Sequence, residues 1–166
     1  RIMILRRYNA NGLVDLSFGN NGTAVSYNNS LGYGTARHIL IQNDGKILVA
    51  GNVTLTYAGT DQTFQRGVVW RFDSNGFYDL SWGSSGRSLL IGTYVLSVAA
   101  YQPAGASSQN IFALVSTISP DDYFLYRLLP NGSLDTTFSG GDGKKDVSRN
   151  SSQLLVKDNG FYLLDS

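Results

Sequence analysis

One phrase occurs three times in this 166-residue chain. Arg7, Asn11-Gly12, Asp15 and Phe18 recur as Arg71, Asn75-Gly76, Asp79 and Trp82, and again as Arg127, Asn131-Gly132, Asp135 and Phe138. The frame is an arginine, a bulky apolar residue beside it, Asn-Gly, an aspartate three residues later and an aromatic three beyond that. Gly12 and Gly76 are 64 residues apart, and Gly76 and Gly132 are 56 apart. A unit of about 60 residues repeated in one chain implies an array of like supersecondary units, each unable to bury its apolar faces alone.

Strand signals fill the space between the corners, and helical periodicity is nearly absent. Residues 38–41 read as a strand. Asn43-Asp44-Gly45 follows as a hairpin turn, because Asp-Gly accepts the positive φ angles of a tight primed turn. Residues 46–51, 66–73 and 86–91 supply three more strands. The next unit repeats the order with residues 94–101, 110–116, 123–129 and 143–148. Residues 153–156 and 161–164 begin a further unit, and residues 2–8 and 22–27 end an earlier one. The expected division is 1–35 as the last two strands of a blade plus a linker, 36–92 and 93–149 as whole blades, and 150–166 as the first two strands of another. Four-stranded sheets repeated radially are the blades of a β-propeller. The predicted fold class is therefore all-β: a propeller segment of about three blade equivalents, with apolar residues on both faces of most strands.

Composition removes several function classes. The net charge is +1, so no strong field steers nucleic acid or an anionic membrane. There is no cysteine, which excludes a disulfide framework and thiolate metal sites. No apolar run approaches the length of a membrane-spanning helix. The chain begins with Arg1 and shows no signal-peptide pattern, so a processed start or a piece of something longer is expected.

Two motifs in order resemble the delta-60 repeat, a bacterial β-propeller family. Residues 131–138, NGSLDTTF, match the first part of its pattern, and residues 42–51, QNDGKILVAG, match the second. Leu-Ser replaces Thr-Thr in two of the corners, Leu129 stands where a polar residue is usual, and Gln102-Pro103 lacks the short Asp-Gly hairpin. The resemblance implies a propeller in surface or secreted bacterial proteins, with no established chemistry.

The corner superficially looks like a calcium loop, but it has too few oxygen ligands and no closing glutamate. Its expected role is structural. Asn-Gly makes the turn, Asp15, Asp79 and Asp135 accept backbone N–H bonds just beyond it, and Phe18, Trp82 and Phe138 plug the space between blades. Arg7, Arg71 and Arg127 should each bond the aspartate of their own repeat. Residues 139–145 lack the spacing and strand-to-helix context of a phosphate loop and read as a turn. No nucleophile elbow and no H-E-x-x-H pattern appears. No catalytic residue, metal site or cofactor is predicted.

Function is expected at the opposite end of the sheets, where the loops do not repeat. Residues 27–34, 54–65 and 119–122 lie there. Tyr27, Tyr33, Tyr57 and Phe64, with Asp61, Asp121, Asp122 and the single histidine, His38, are the candidate binding residues. Tyrosine beside Asn and Asp suits a protein or carbohydrate ligand, since the ring offers an apolar face and the hydroxyl a polar tip. The leading expectation is a non-enzymatic recognition scaffold, extracellular or on the cell surface. A glycan hydrolase or lyase working through Asp61, Asp121 and Asp122 is the first alternative, and a structural spacer in a large adhesin the second. A propeller usually needs four or more blades, so either the remaining blades of a longer chain or self-association is expected to close the ring.

Overall fold

The computed structural model describes residues 3–25, 34–118, 122–157 and 160–165. Strands β1 (Ile4–Arg6) and β2 (Thr23–Val25) pair as a two-stranded sheet. Strands β3 (Gly34–Ile41), β4 (Ile47–Thr56), β5 (Thr63–Phe72) and β6 (Arg87–Leu90) form the first four-stranded sheet in chain order. Strands β7 (Tyr94–Tyr101), β8 (Asn110–Ser116), β9 (Tyr123–Leu128) and β10 (Lys144–Val147) form the second. Strands β11 (Ser151–Lys157) and β12 (Gly160–Asp165) pair at the far end. Every pairing is antiparallel and joins consecutive strands. Among the described residues the one helical element is a 3-10 turn at Phe138–Gly140.

The cores lie between sheets, and the two-residue period of a strand explains how. Leu48 and Ala50 of β4 face the second four-stranded sheet, where they meet Val98, Ile111, Ala113 and Leu128. Their neighbours Ile47 and Val49 face the other way, onto Met3, Phe18 and Ala24. Leu114 and Leu125 continue the series toward Leu154 of β11. Each strand therefore carries apolar residues on both faces because each sheet is sandwiched. Fully burying one Leu, Ile or Val side chain stabilises by about 2 kcal/mol, so this stacking outweighs any single polar contact in the molecule.

Two local differences from the sequence reading matter for the site. Residues 54–65 are not a loop. The β4–β5 ladder runs on through Thr54↔Gln65 and Leu55↔Phe64 to Thr56↔Thr63, and only residues 57–62 turn. The physical reason is that threonines alternate with the buried Leu55 and the partly buried Phe64, a half-buried strand pattern. Strand β3 also starts earlier than expected, at Gly34, and carries a register shift between Ala36 and His38. The same shift recurs between Val95 and Ser97 and between Ser151 and Gln153. The first strand of every unit thus has a bulge at the loop end.

Candidate functional site

The three corners are built alike. Arg7, Arg71 and Arg127 donate from Nε to Oδ2 of Asp15, Asp79 and Asp135 at 2.8, 3.0 and 2.7 Å. The other carboxylate oxygen accepts the backbone N–H of Ser17, Ser81 and Thr137, at 3.0, 3.2 and 3.0 Å. It also accepts their hydroxyls, at 2.6, 2.5 and 2.6 Å. Each guanidinium lies over the ring of Phe18, Trp82 or Phe138, 4.7, 5.2 and 4.8 Å from the centroid. All three carboxyls are held below the usual aspartate range. For Asp15 and Asp135 the neighbouring hydroxyl is the main cause. Burial pushes Asp79 upward, but Ser81 and the Arg71 charge overcome it. The hydroxyl two residues after each aspartate was legible as Ser17, Ser81 and Thr137, and the motif should have included it.

Each corner also grips the next. Arg7 Nη1 donates to the Ser74 carbonyl at 2.9 Å, and Arg71 Nη1 to the Pro130 carbonyl at 3.1 Å. The Gly19 and Gly83 amides donate to the carbonyls of Asn75 and Asn131, at 2.6 and 2.7 Å. Gly76 sits on the Phe18 ring and Gly132 on the Trp82 ring, so close that a Cβ would fall 2.8 and 2.5 Å from ring atoms. The repeated motif is thus a joint between adjacent sheets.

Inner strands are joined as well. The Val98 amide of β7 donates to His38 Nδ1 at 3.3 Å, and the Leu154 amide of β11 donates to Ser97 Oγ at 3.2 Å. His38 and Ser97 hold equivalent places, each just past its bulge. The bond requires His38 to be neutral at Nδ1, and burial lowers its pKa below the ordinary value. His38, expected as a binding residue, is placed in the joint between β3 and β7.

At the loop end the β4–β5 hairpin carries Tyr57 against Phe64, with ring centroids 4.4 Å apart, and Arg66 5.9 Å from the Phe64 centroid. Tyr57 is 51% exposed, and Asp61 is exposed in the same turn. Asp122 lies elsewhere, beside the start of β9, with its amide bonded to Thr117 Oγ1 at 3.0 Å and Arg149 3.6 Å from its carboxylate. Tyr27, Tyr33 and Asp121 fall outside the described residues. Near the bulges, Arg37, Leu96, Tyr123, Asn150, Ser151 and Ser152 line an open cavity of about 350 Å³. Arg37, Leu96 and Ser152 are the bulge residues of three successive inner strands. Arg37 also lies over the Tyr94 ring at 4.4 Å. Sequence reasoning missed this group, because a bulge that turns a side chain toward its neighbours leaves no signature in a strand pattern. One cation, three hydroxyls and an amide suit a polar group rich in acceptors.

A family model described as a domain of unknown function (DUF5122) beta-propeller matches residues 42–81 and 116–138. These stretches span the Asp-Gly hairpin, the second corner and the third. Neither the curated proteins nor the solved structures give a match. The antiparallel sheets and the family match together define the class: an all-β chain of the β-propeller fold, in four-stranded blades. Among the described residues no helix is long and apolar enough to cross a membrane.

Proposed function

We propose that this chain is a non-enzymatic recognition module: a delta-60-type propeller segment of a secreted or cell-surface bacterial protein. It binds protein or carbohydrate through the loop end. The observation that carries this reading is the β4–β5 hairpin. It extends its ladder to Thr56 and Thr63 and presents an exposed tyrosine stacked on a second ring, with a cation behind it. Its counterpart joining β8 to β9 bears no aromatic pair among the described residues. A ring that is pre-stacked loses little freedom on binding and offers an apolar face to a sugar or a peptide side chain. Asp61 beside it supplies acceptors for hydroxyls or amides.

Glycan and peptide arrays test the proposal. A specific ligand should appear, and Tyr57→Ala should weaken it about tenfold, the equivalent of roughly 1.4 kcal/mol, with the melting temperature unchanged. Blank arrays would favour the structural spacer instead. Turnover of a glycan that Asp61→Asn abolishes would point to the hydrolase or lyase and remove the recognition reading.

A further inference from the structure

The corner end of the two whole sheets encloses a polar cavity. Residues 102–109 join β7 to β8, where residues 42–46 suffice between β3 and β4. The longer connection is tied to the shorter one. The Asn43 amide donates to Gln109 Oε1 at 3.0 Å, and Asn43 Nδ2 donates to Gln102 Oε1 at 3.1 Å. Gln102 Nε2 in turn donates to the Ala106 carbonyl at 2.7 Å. Among these connections lies a space of about 240 Å³. Gln42, Asp44 and Lys46 line it from one sheet and Ser107 and Ser108 from the other, and the corner residues Arg71 and Pro130 complete the wall. Both sheets that form it are whole, so its walls do not depend on what stands beyond β1 or β12.

One group in this wall is unanswered. Gln42 is 7% exposed, and its Oε1 has no hydrogen-bond partner among the described residues. A buried carbonyl without a donor is costly and uncommon. Tyr101 stands at the equivalent place on β7, so within this chain the amide is not repeated. The charges, by contrast, are already matched. Lys46 pairs with Asp44, and Arg71 with Asp79. Burial pushes the Asp44 carboxyl upward, but its bonds to Lys46 and the Arg71 charge overcome this and hold it below the usual range. A metal ion here would meet two cations, and a phosphate would meet a carboxylate beside cations already engaged. What remains is a set of amides, hydroxyls and a carbonyl that mixes donors with acceptors.

A neutral polyhydroxylated molecule matches that set. Each of its hydroxyls both donates and accepts, so one can answer Gln42 and still accept from a serine. At about 30 Å³ per water the cavity has the volume of about eight waters, which suits a sugar ring better than a single buried water. We propose that this cavity is a separate binding site for one neutral pyranose, with Gln42 as the buried acceptor and Asp44 accepting from neighbouring hydroxyls. The site lies at the end opposite the Tyr57 surface and does not rest on the reading of that surface.

Chemical-shift mapping of the isotope-labelled chain tests the proposal. The probes are the methyl α-D-pyranosides of glucose, galactose and mannose, each raised to about 100 mM, enough to saturate a millimolar site. At least one should move the amides of Asn43, Ser107 and Ser108 and the side-chain amide of Gln42, and do so saturably. Gln42→Leu, which removes the acceptor with little change of size, should weaken that binding about tenfold. Tyr57→Ala should leave it unchanged, which separates this site from the loop end. If Gln42→Leu fails to fold, Asp44→Asn, at an exposed residue, replaces it and should weaken binding severalfold. Inorganic phosphate should leave the same amides unmoved. The proposal is overturned if none of the three sugars gives saturable shifts at these residues, if phosphate alone moves them, or if the variant binds as the wild type does.

Discussion

The corner end and the loop end of the sheets are built on opposite rules. At the corner end the chain repeats one device three times, and the distances within it agree to a few tenths of an ångström. At the loop end the described parts of the connections differ from one another. One is a long hairpin with stacked rings, and another carries Asp122 bonded to Thr117. The difference teaches where each kind of residue acts. A group that recurs in register must serve something that recurs, here the joint between neighbouring sheets. A group that occurs once is free to serve a ligand.

Substitutions at the two ends should therefore move different observables. The largest expected effect is Gly132→Ala. The new methyl would lie 2.5 Å from the Trp82 ring at φ +85°, and overpacking plus left-handed strain should cost about 3 kcal/mol in chemical denaturation. A loss below about 1 kcal/mol would mean the joint is slack and the comparison overstated.

Arg71→Met ranks next. The Arg71–Asp79 pair is 11% and 12% exposed at its side chains, and Arg71 also holds the Pro130 carbonyl. Its loss leaves a shielded carboxylate without its cation and should cost about 2 kcal/mol. The same change at Arg7 should cost clearly less, because Arg7–Asp15 is 40% and 20% exposed and water screens it. Equal effects at the two positions would show that burial does not grade the corners.

The smallest effect concerns pH. His38 binds a proton less readily folded than unfolded, because burial lowers its pKa. Between its depressed value and the ordinary 6.5 the unfolded chain holds more protons, so stability should be full above pH 6.5 and decline as pH falls through that window. The corner aspartates are also depressed, so a second loss should begin only below their ordinary value of 3.8. His38→Ser places a serine where Ser97 performs the same task and should remove the first decline while keeping the second. Melting temperature against pH for both chains reads this out directly.

Much of the architecture was legible because it rests on short-range rules written several times. Asn-Gly and Asp-Gly turns, alternating apolar residues and the spacing between corners are local, and repetition separates them from chance. The Arg–Asp pairs were legible for the same reason, since both partners belong to one motif eight residues apart. The grip of one corner on the next was not. It runs through backbone carbonyls such as those of Ser74 and Pro130, which every residue possesses and no side-chain pattern advertises. The end of the β4–β5 hairpin was hidden because Thr, Gln and Tyr serve strands and loops alike. The bulges that set Arg37, Leu96 and Ser152 around one cavity are invisible in the strands that carry them.

What the sequence determined by itself is the repeat, the strand-and-turn order within it and the bond inside each corner, because these depend on neighbours along the chain. Only the tertiary structure decided that His38 is an inter-strand acceptor and that Gly76 and Gly132 are seats for aromatic rings. Those facts depend on which sheet stands beside which. Stacking of sheets is governed by packing and by hydrogen bonds to the backbone; the order of the side chains shows that both faces of a strand are covered, but not which residues cover them.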